Sequence, residues 1–471
     1  MEKKRLINQE NLLLLAIVAV LNFLLWIGFS GYGIGLSVDS ANYFSVAQSL
    51  SEGKGFIQFD NFAFLNAPPL YPLLLSPAYF LNLNPLNFAL GLQFTFFNLS
   101  LFFYIKMLRL WFNGWQLLLV FGFGAGSYFN FAHVYLFALS EAGAVTFLLA
   151  YLFFLLRAEP KDLWFGAIFF SLLVLQRYIG WFLLPGIVLF WFLEKRRIWN
   201  LIWHLLPAVI LTGLWFYRNA LLGTNPLGEH IIASKLSLLA FGENTKAILQ
   251  GIASGNKLFA AVLLFLVCLA FGFWNLKILQ GKMRKANMLI LLTGISFLLL
   301  LLFEKHLSMA QLPRYLSILW LPLMLLPALF LIYQKRMGAQ GKWVLFALVL
   351  VQTLGVWKQQ YHCRIAGAGG FNSPTWQAYK GLSQMQRLPE SDLASNFPDM
   401  VWWLTGKKCQ YSPFLSESKH DYEKRGVLKG KVLIWFKDSS RDAVMEADFR
   451  KLQSNFRSIQ NLDGVEIGYI E

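Results

Sequence analysis

Long apolar segments alternate with short polar connectors along most of this chain. A transmembrane helix needs about 20 mostly apolar residues, and eleven segments fit that pattern. They are residues 11–30, 86–105, 116–134, 139–156, 162–176, 179–193, 201–217, 257–275, 287–303, 314–333 and 342–357. The pattern predicts a multi-pass α-helical membrane protein with about eleven transmembrane helices. The segments 162–176 and 179–193 are short enough to form a single span instead.

The lysines and arginines of the connectors cluster in every second connector. Examples are Lys3–Arg5, Lys195–Arg197 and Lys277–Lys285. Because cytoplasmic connectors carry an excess of positive charge, the pattern predicts a cytoplasmic N-terminus and a C-terminal tail on the outer face of the plasma (inner) membrane. A single span at 162–193 would place the cluster at 277–285 outside, so the charge pattern favours eleven spans.

The tail after residue 358 has a different pattern. Residues 431–436 and 465–470 have the composition of buried strands, and residues 441–456 have the apolar spacing of an amphipathic helix. Alternating strand and helix signals predict a small α/β domain. The sequence therefore predicts a transmembrane domain at 1–358, with a first outer loop at 31–85, and an extracytoplasmic domain at 359–471.

Composition supports this division. Hydrophobic residues make up 57% of the chain and charged residues 14%, against about a quarter charged in soluble domains. The net charge of +16 lies in the connectors, so it indicates membrane orientation and contact with membrane lipids; nucleic acid is not an expected partner. Cys363 and Cys409 fall in the predicted tail and are candidates for a disulfide in an oxidising compartment.

The first outer loop carries an isolated acid, Asp39, before a short helical pattern. The helix is predicted from Ser40 to about Ser51, and Tyr43 begins an apolar stripe at the spacing i, i+3, i+4 and i+7. Such a stripe is typical of a helix that lies in the membrane interface. The paired prolines Pro68 and Pro69 then favour an extended return towards the membrane.

The predicted topology collects ionisable and polar residues at the outer ends of the spans. They are Asp39, Glu141, Arg177, Tyr178, Arg218, Asn219, Lys305, His306, Arg314 and Tyr315. Ionisable residues in membrane segments usually face a bundle interior or a wet cavity, so this group is the candidate site. The spacing of histidines and acids does not support a divalent metal site, and the sequence has no glycine-rich phosphate loop.

Each of these residues also has a plain structural interpretation. Asp39 or Glu141 would be favoured as helix N-caps. The three arginines would serve as anchors whose charged ends reach the headgroups. The pair at 305–306 would be solvated loop residues, and the tyrosines would belong to the aromatic belt of the interface. Local rules leave both interpretations open.

Several motifs resemble the GT-C superfamily of integral-membrane glycosyltransferases, in the branch of bacterial protein O-mannosyltransferases and lipid A aminoarabinose transferases. The motifs cover most of the chain. They are Asp39-x-x-x-Tyr43-x-x-x-Ala47-x-x-Leu50, Gly53-x-Gly55, Pro68-Pro69-Leu70-Tyr71-Pro72, Ser140-Glu141, Arg177-Tyr178-Ile179-Gly180, Arg218-Asn219 with Gly223-x-x-Pro226, and the tail stretch 395–408. The resemblance implies a GT-C-like fold with interfacial helices in the first outer loop.

The resemblance also implies a reaction. A sugar on a polyprenyl phosphate would be transferred, with inversion, to a lipid, glycan or protein acceptor on the outer face. Asp39 would be the catalytic base and Glu141 an auxiliary acid. No cofactor is identified, and a requirement for a divalent metal stays open. The cations Arg177, Arg218, Lys305 and Arg314 would bind the donor phosphate. The supporting residues would be Tyr43, Tyr71, Tyr178, Asn219, His306 and Tyr315.

The sequence departs from these relatives at two places. Asn66-Ala67 stands where aminoarabinose transferases have a Glu-Lys pair, and Ser40 stands where protein mannosyltransferases have a second acid. The sugar and the acceptor therefore stay open. A transporter or flippase for a lipid-linked saccharide is the main alternative, and an assembly protein whose outer domain binds a partner is a third.

Overall fold

The structure of the protein is a computed structural model that consists mainly of helices, with one small sheet near the C-terminus. It describes residues 2–65, 67–127, 131–157, 160–222, 238–253, 257–303, 312–333, 338–369, 373, 393–411, 432–436, 456–462 and 465–470. The chain forms two compact units. The first comprises 1–31, 65–71 and 89–365, and the second comprises 32–64, 72–88 and 366–471.

The helices follow the apolar segments of the sequence. They are α1 (Glu2–Phe29), α2 (Val38–Ser51), α3 (Leu70–Phe80), α4 (Pro85–Leu108), α5 (Gly114–Ala125), α6 (Glu141–Arg157), α7 (Pro160–Gln176), α8 (Leu184–Leu193), α9 (Ile198–Leu222), α10 (Leu238–Ala253), α11 (Lys257–Ile278), α12 (Gly281–Leu302), α13 (Leu312–Leu323), α14 (Leu325–Tyr333), α15 (Gly338–Ala366) and α16 (Pro398–Thr405). A π-helical turn at Phe131–Tyr135 and a 3₁₀-helix at Tyr178–Leu183 lie between them.

The predicted multi-pass helical fold is confirmed. Among the described residues, seven helical stretches are long and apolar enough to cross a membrane, and four shorter apolar helices accompany them. Each of the eleven predicted segments overlaps helical structure; in the segment 116–134, α5 ends at Ala125 and residues 128–130 lie outside the described residues. The segments 162–176 and 179–193 are separate helices, because α7 ends at Gln176 and the backbone of Arg177 is extended (φ −152°, ψ 127°).

Helix α6 lies at the centre of the first unit and is buried along nearly its whole length. It packs against α7 and α13. Polar side chains of α6 form hydrogen bonds inside the bundle. For example, the hydroxyl oxygens of Thr146 and Ser100 lie 2.8 Å apart. A buried polar group destabilises the folded state unless it is hydrogen-bonded. This central helix is therefore fixed by polar contacts as well as by apolar packing.

The second unit contains the five-stranded sheet. Its strands are β1 (Leu393–Ser395), β2 (Gln410–Tyr411), β3 (Val432–Phe436), β4 (Phe456–Leu462) and β5 (Val465–Ile470), in the spatial order β2-β1-β3-β5-β4. β1 is parallel to β2 and β3, whereas β5 is antiparallel to β3 and β4. Helix α16 follows β1. Its C-cap is Gly406, whose left-handed backbone conformation (φ 71°) favours glycine.

The small α/β domain predicted for the tail is confirmed, and so are the strands predicted at 431–436 and 465–470. The helix predicted at 441–456 lies outside the described residues, except for Phe456, which begins β4. The boundary predicted at residue 358 falls inside α15, which continues to Ala366. Cys363 therefore belongs to a helix, and the described residues contain no disulfide between it and Cys409, so the pairing suggested by the sequence is not formed.

The helix predicted after Asp39 is confirmed as α2, but its N-cap is Ser37. The Ser37 hydroxyl accepts a hydrogen bond from the backbone N–H of Ser40, and the Ser40 hydroxyl accepts one from the backbone N–H of Ser37. The two hydrogen bonds form a capping box. Asp39 lies in the first turn, so the prediction that it is the N-cap is wrong. The two serines satisfy backbone N–H groups at the start of the helix, so the Asp39 side chain is not needed as a cap.

The burial of α2 also differs from the predicted amphipathic pattern. Ser40, Ser45 and Ser49 are buried together with the apolar stripe. The helix packs against α16, where the rings of Phe44 and Trp403 lie 5.4 Å apart. The polar side of α2 is therefore covered within the second unit, because the tail supplies a packing partner that the local pattern could not reveal.

A buried acid in the first loop leads to a pH prediction. Burial raises the pKa of Asp60, although the backbone N–H of Phe62 donates to its Oδ1 at 3.0 Å. The folded state therefore binds this proton more tightly than the unfolded chain does, and stability increases as the pH falls through the raised pKa. We expect Asp60→Asn to raise the thermal midpoint at neutral pH, with a smaller gain near pH 4, in a pH series of unfolding scans.

Glu52 provides the control for this measurement. Its hydrogen bond with Lys54 lowers its pKa, so the stability that it contributes is lost as the pH falls. The effect of Glu52→Gln should therefore have the opposite sign at neutral pH and should also shrink towards acid pH. A lower thermal midpoint for Asp60→Asn than for the wild type at neutral pH would contradict the prediction.

Candidate functional site

A buried carboxylate at the start of α6 forms the centre of a charged cluster. Glu141 is completely buried. Nη1 of Arg177 lies 2.7 Å from its Oε1, and Nε of Arg314 donates to the same oxygen. The other oxygen, Oε2, is buried and has no hydrogen-bond partner among the described residues. A carboxylate that is removed from water is stabilised when charged donors contact it, and here two cations share one acid.

Each member of this cluster is positioned by the end of an element. Arg177 lies at the break between α7 and the 3₁₀-helix, and Arg314 lies in the first turn of α13. Nη1 of Arg177 also donates to the hydroxyl of Ser140 at 3.2 Å, and its guanidinium carbon lies 5.8 Å from the ring centre of Tyr315. Arginine suits this position, because its planar guanidinium group can bind a carboxylate and stack on an aromatic ring at the same time.

The cluster joins two cations to one acid at a partly accessible place. The side chains of Arg177 and Arg314 are 14% and 16% exposed, whereas that of Glu141 is 0% exposed. In a site with little water, guanidinium groups are strong attractors for an anion.

A second group of residues continues from Arg177 through its neighbour Tyr178. The indole N–H of Trp215 donates to the Tyr178 hydroxyl at 2.6 Å, and the guanidinium carbon of Arg218 lies 4.6 Å from the centre of the Trp215 ring. Arg218 donates to Oδ1 of Asn219 at 2.8 Å, and the buried Asn219 amide lies 3.4 Å from the carbonyl oxygen of residue 65. The motif Arg218-Asn219 thus links α9 to the start of the segment that returns from the first loop.

Two buried glutamines that the sequence interpretation missed hold the backbone just before Glu141. Gln93 Nε2 donates to the carbonyl of Leu139 at 3.0 Å and lies 3.2 Å from the Tyr71 hydroxyl. Gln176 Nε2 donates to the carbonyl of Ser140 at 3.0 Å. The sequence could have revealed these glutamines, because each is a polar residue inside or at the end of an apolar span. Such a residue is costly there unless it has a hydrogen-bond partner.

The structure brings most of the predicted residues of the first unit together. Contacts join Glu141, Arg177, Arg314, Tyr315, Tyr178, Arg218 and Asn219 into two adjacent groups. Tyr71 is joined to the same region through Gln93. The suggestion that Glu141 acts as a simple helix cap does not describe it, because its carboxylate is engaged by two arginines from other elements.

The other predicted residues belong to other parts of the chain. Asp39 and Tyr43 belong to the second unit; Asp39 is half-buried, and the ring of Tyr43 is buried and packs edge-on to Phe64, with centroids 6.2 Å apart. Lys305 and His306 lie outside the described residues. Within the described part of the chain, no group of three or more His, Cys, Asp or Glu residues is placed to hold a metal ion.

Comparison with known proteins identifies the fold. The crystal structure of ArnT from Cupriavidus metallidurans bound to undecaprenyl phosphate superposes with a TM-score of 0.62 at 11% sequence identity, covering 96% of this chain and 97% of that one. The apo structure of the same enzyme gives a TM-score of 0.60 at 11% identity, with the same coverage. No protein-family model and no curated protein sequence matches the chain. The chain thus has an ArnT-like fold, and the GT-C-like fold expected from its motifs is confirmed.

Proposed function

We propose, from the ArnT-like fold of this membrane protein, that it is an inverting glycosyltransferase that uses a sugar linked to a polyprenyl phosphate. The observation that carries the proposal is the cluster at Glu141, where two arginines share one buried acid inside this fold. The ArnT structure holds undecaprenyl phosphate, and a lipid phosphate is the kind of anion that such a cluster would bind.

The donor phosphate is assigned to the cations of the first unit. Arg177 and Arg314 keep their guanidinium planes in place through Glu141, and Arg218 is held by Trp215 and Asn219. Rigid guanidinium groups contact phosphate oxygens at a smaller entropic cost than flexible side chains do. They would also stabilise the negative charge that develops on the departing lipid phosphate.

The reaction requires a base for the acceptor. The acceptor oxygen attacks the anomeric carbon and forms the new C–O bond, while the bond from that carbon to the phosphate oxygen breaks. The acceptor proton passes to the carboxylate of Asp39, and the polyprenyl phosphate leaves with the bonding electron pair. Attack opposite to the leaving group inverts the anomeric carbon, and a positioned base accelerates such a step by about 10²- to 10⁴-fold.

Glu141 would have a supporting part in this scheme. Its Oε1 fixes both arginines, which makes it a positioning residue for the donor phosphate. Its Oε2 is a buried acceptor without a hydrogen-bond partner among the described residues, so a donor hydroxyl or a water molecule would satisfy it. The resemblance implied an auxiliary acid at Glu141; in this proposal the acid acts by positioning the two arginines.

The test separates the enzyme from a transporter or flippase. The full-length protein is reconstituted in liposomes that contain a labelled polyprenyl-phosphate sugar. We expect release or transfer of the sugar, with free polyprenyl phosphate as a product, and an increase of about tenfold or more in the KM for the donor in Arg177→Gln. A transporter would move the donor across the bilayer with its sugar–phosphate bond intact.

Arg109→Gln is the matched control for the donor-binding step. Arg109 is also ion-paired, to Glu10 at 3.7 Å, but its side chain is 40% exposed and it is not part of the cluster at Glu141. Its substitution should leave the KM unchanged. Donor that crosses the bilayer without cleavage, in a preparation that is folded, would refute the enzyme and favour the transporter.

A further inference from the structure

A basic cleft lies at the other end of the first unit, away from Glu141. It has a volume of about 160 Å³ and is lined by Leu110, Trp111, Leu156, Arg157, Phe190, Arg196, Lys282 and Lys285. Glu141 begins α6 and Arg157 ends it. At 1.5 Å per residue the two ends of that helix are about 24 Å apart, so the cleft and the candidate site are separate features.

The charges in the cleft are only partly balanced. Arg157 pairs with Asp162 (Nε to Oδ2, 3.3 Å), and Lys285 pairs with Glu194. Arg196 and Lys282 have no ion-pair partner among the described residues. Four cations and two paired acids thus leave two positive charges for a ligand.

Arg196 is held in position although no described acid pairs with it. Its guanidinium carbon lies 5.3 Å from the ring centre of Phe190 and 5.1 Å from that of Trp191. Its Nη1 and Nη2 both lie 3.5 Å from the carbonyl oxygen of Leu155. A guanidinium that is stacked and hydrogen-bonded in this way is preorganised for an anion with several oxygens.

The cleft also contains an unused donor. The indole nitrogen of Trp111, which lines the cleft, is buried and donates no hydrogen bond within the described part of the chain. A buried N–H without an acceptor is costly, and an anionic oxygen in the cleft would satisfy it. The tendency of cytoplasmic connectors to be basic explains why cations occur here, but not why they converge with this donor on one concave surface.

The surroundings favour a lipid as the source of that anion. Helix α9 begins directly after the Arg196-Arg197 pair, and its first residues, Ile198 and Trp199, are 44% and 67% exposed. Exposed tryptophan beside a basic cluster at a helix end is typical of the headgroup region of a membrane. Basic pockets between transmembrane helices bind the headgroups of anionic lipids.

We propose that this cleft is a binding site for a phosphate-bearing anionic group, with Arg196, Lys282 and the Trp111 N–H as its ligands. The group is the headgroup of an anionic phospholipid or a free phosphate. The site does not depend on the proposed sugar transfer, because it lies at the opposite end of α6 from the residues assigned to that reaction.

The experiment uses the full-length protein in a neutral detergent and measures bound lipid by native mass spectrometry. Phosphatidylglycerol and phosphatidylcholine with identical acyl chains are titrated separately. We expect phosphatidylglycerol to bind at least about tenfold more tightly, and we expect Arg196→Gln and Lys282→Gln each to weaken it by about three- to tenfold. Because the Lys282 side chain is exposed, its variant should fold normally.

Arg284→Gln is the matched control. Arg284 lies on the same helix as Lys282 and is also exposed, but it does not line the cleft. Its substitution should change the affinity by less than about twofold. Equal binding of the two lipids, or an equal loss of affinity in Arg284→Gln, would overturn the proposal, because either result would mean diffuse attraction instead of a site.

Inorganic phosphate distinguishes the two sources of the ligand. If millimolar phosphate displaces phosphatidylglycerol from the wild type, and Lys282→Gln weakens that displacement, the site exists and accepts a free phosphate. If phosphate does not compete while the lipid preference and its dependence on Lys282 persist, the site belongs to the lipid headgroup. Both results support the cleft as a phosphate site.

Discussion

Asp39→Asn is expected to lower the rate of sugar transfer by about 10²- to 10⁴-fold, which is the usual contribution of a general base. The asparagine keeps the size of the side chain but cannot accept the acceptor proton. The substitution keeps the cap of α2, because Ser37 and Ser40 supply its capping box. Loss of a first-turn acid costs about 0.3–1 kcal/mol. Transfer by reconstituted protein and the thermal midpoint are measured on the same preparation.

Ser37→Ala is the matched control for this experiment, because it should have the opposite profile. It removes the cap, which costs about 1 kcal/mol of stability, but it leaves the carboxylate of Asp39 in place. Transfer should fall much less than in Asp39→Asn. If Asp39→Asn retains full transfer activity, Asp39 is not the base.

Glu141→Gln is expected to reduce the free energy of unfolding by about 3 kcal/mol, since it removes the buried carboxylate that two partly buried arginines share. Oε1 of Glu141 contacts both Arg177 and Arg314. We also expect transfer to decrease by about 10²-fold, because the donor-phosphate ligands lose the group that orients them. Unfolding in a denaturing detergent and the transfer assay are the two measurements.

Two further variants test the cause of this loss. In the double variant Glu141→Gln/Arg314→Gln one excess cation is removed, so stability should partly recover while transfer stays low. Asp162→Asn is the graded control. Among the described residues the buried acid pairs with Arg157 alone, whose side chain is 31% exposed, so we expect a cost of about 1 kcal/mol. A Glu141→Gln protein as stable as the wild type would show that the cluster is not electrostatically coupled.

Much of the fold followed from local patterns. An apolar run long enough to cross a bilayer must form a helix, because its backbone groups have no other partners there, and each predicted span overlaps helical structure among the described residues. The strands at 432–436 and 465–470 were recognisable because β-branched and aromatic residues favour a buried sheet. The motifs that resemble those of GT-C enzymes also indicated the fold that the comparison with ArnT supports.

Capping and burial in the first loop were not accessible to the same reasoning. An acid before a helical pattern favours an N-cap at Asp39, yet a serine two residues earlier forms the cap, because a capping box satisfies two N–H groups at once. The serines of α2 looked solvent-exposed, but they are buried, and the helix packs against α16, from a segment more than 300 residues later. Local spacing contains no information about such a partner.

The sequence by itself determined the membrane class, the helical spans and the kinds of residue available for chemistry, because these depend on composition and on neighbours along the chain. Only the tertiary structure decided that Glu141 contacts Arg314, which is 173 residues away, and that Gln93 and Gln176 fix the backbone before it. It also decided that Arg196 and Lys282 line one cleft. Those contacts arise from how the helices pack, and packing depends on the shapes of surfaces that are distant in sequence.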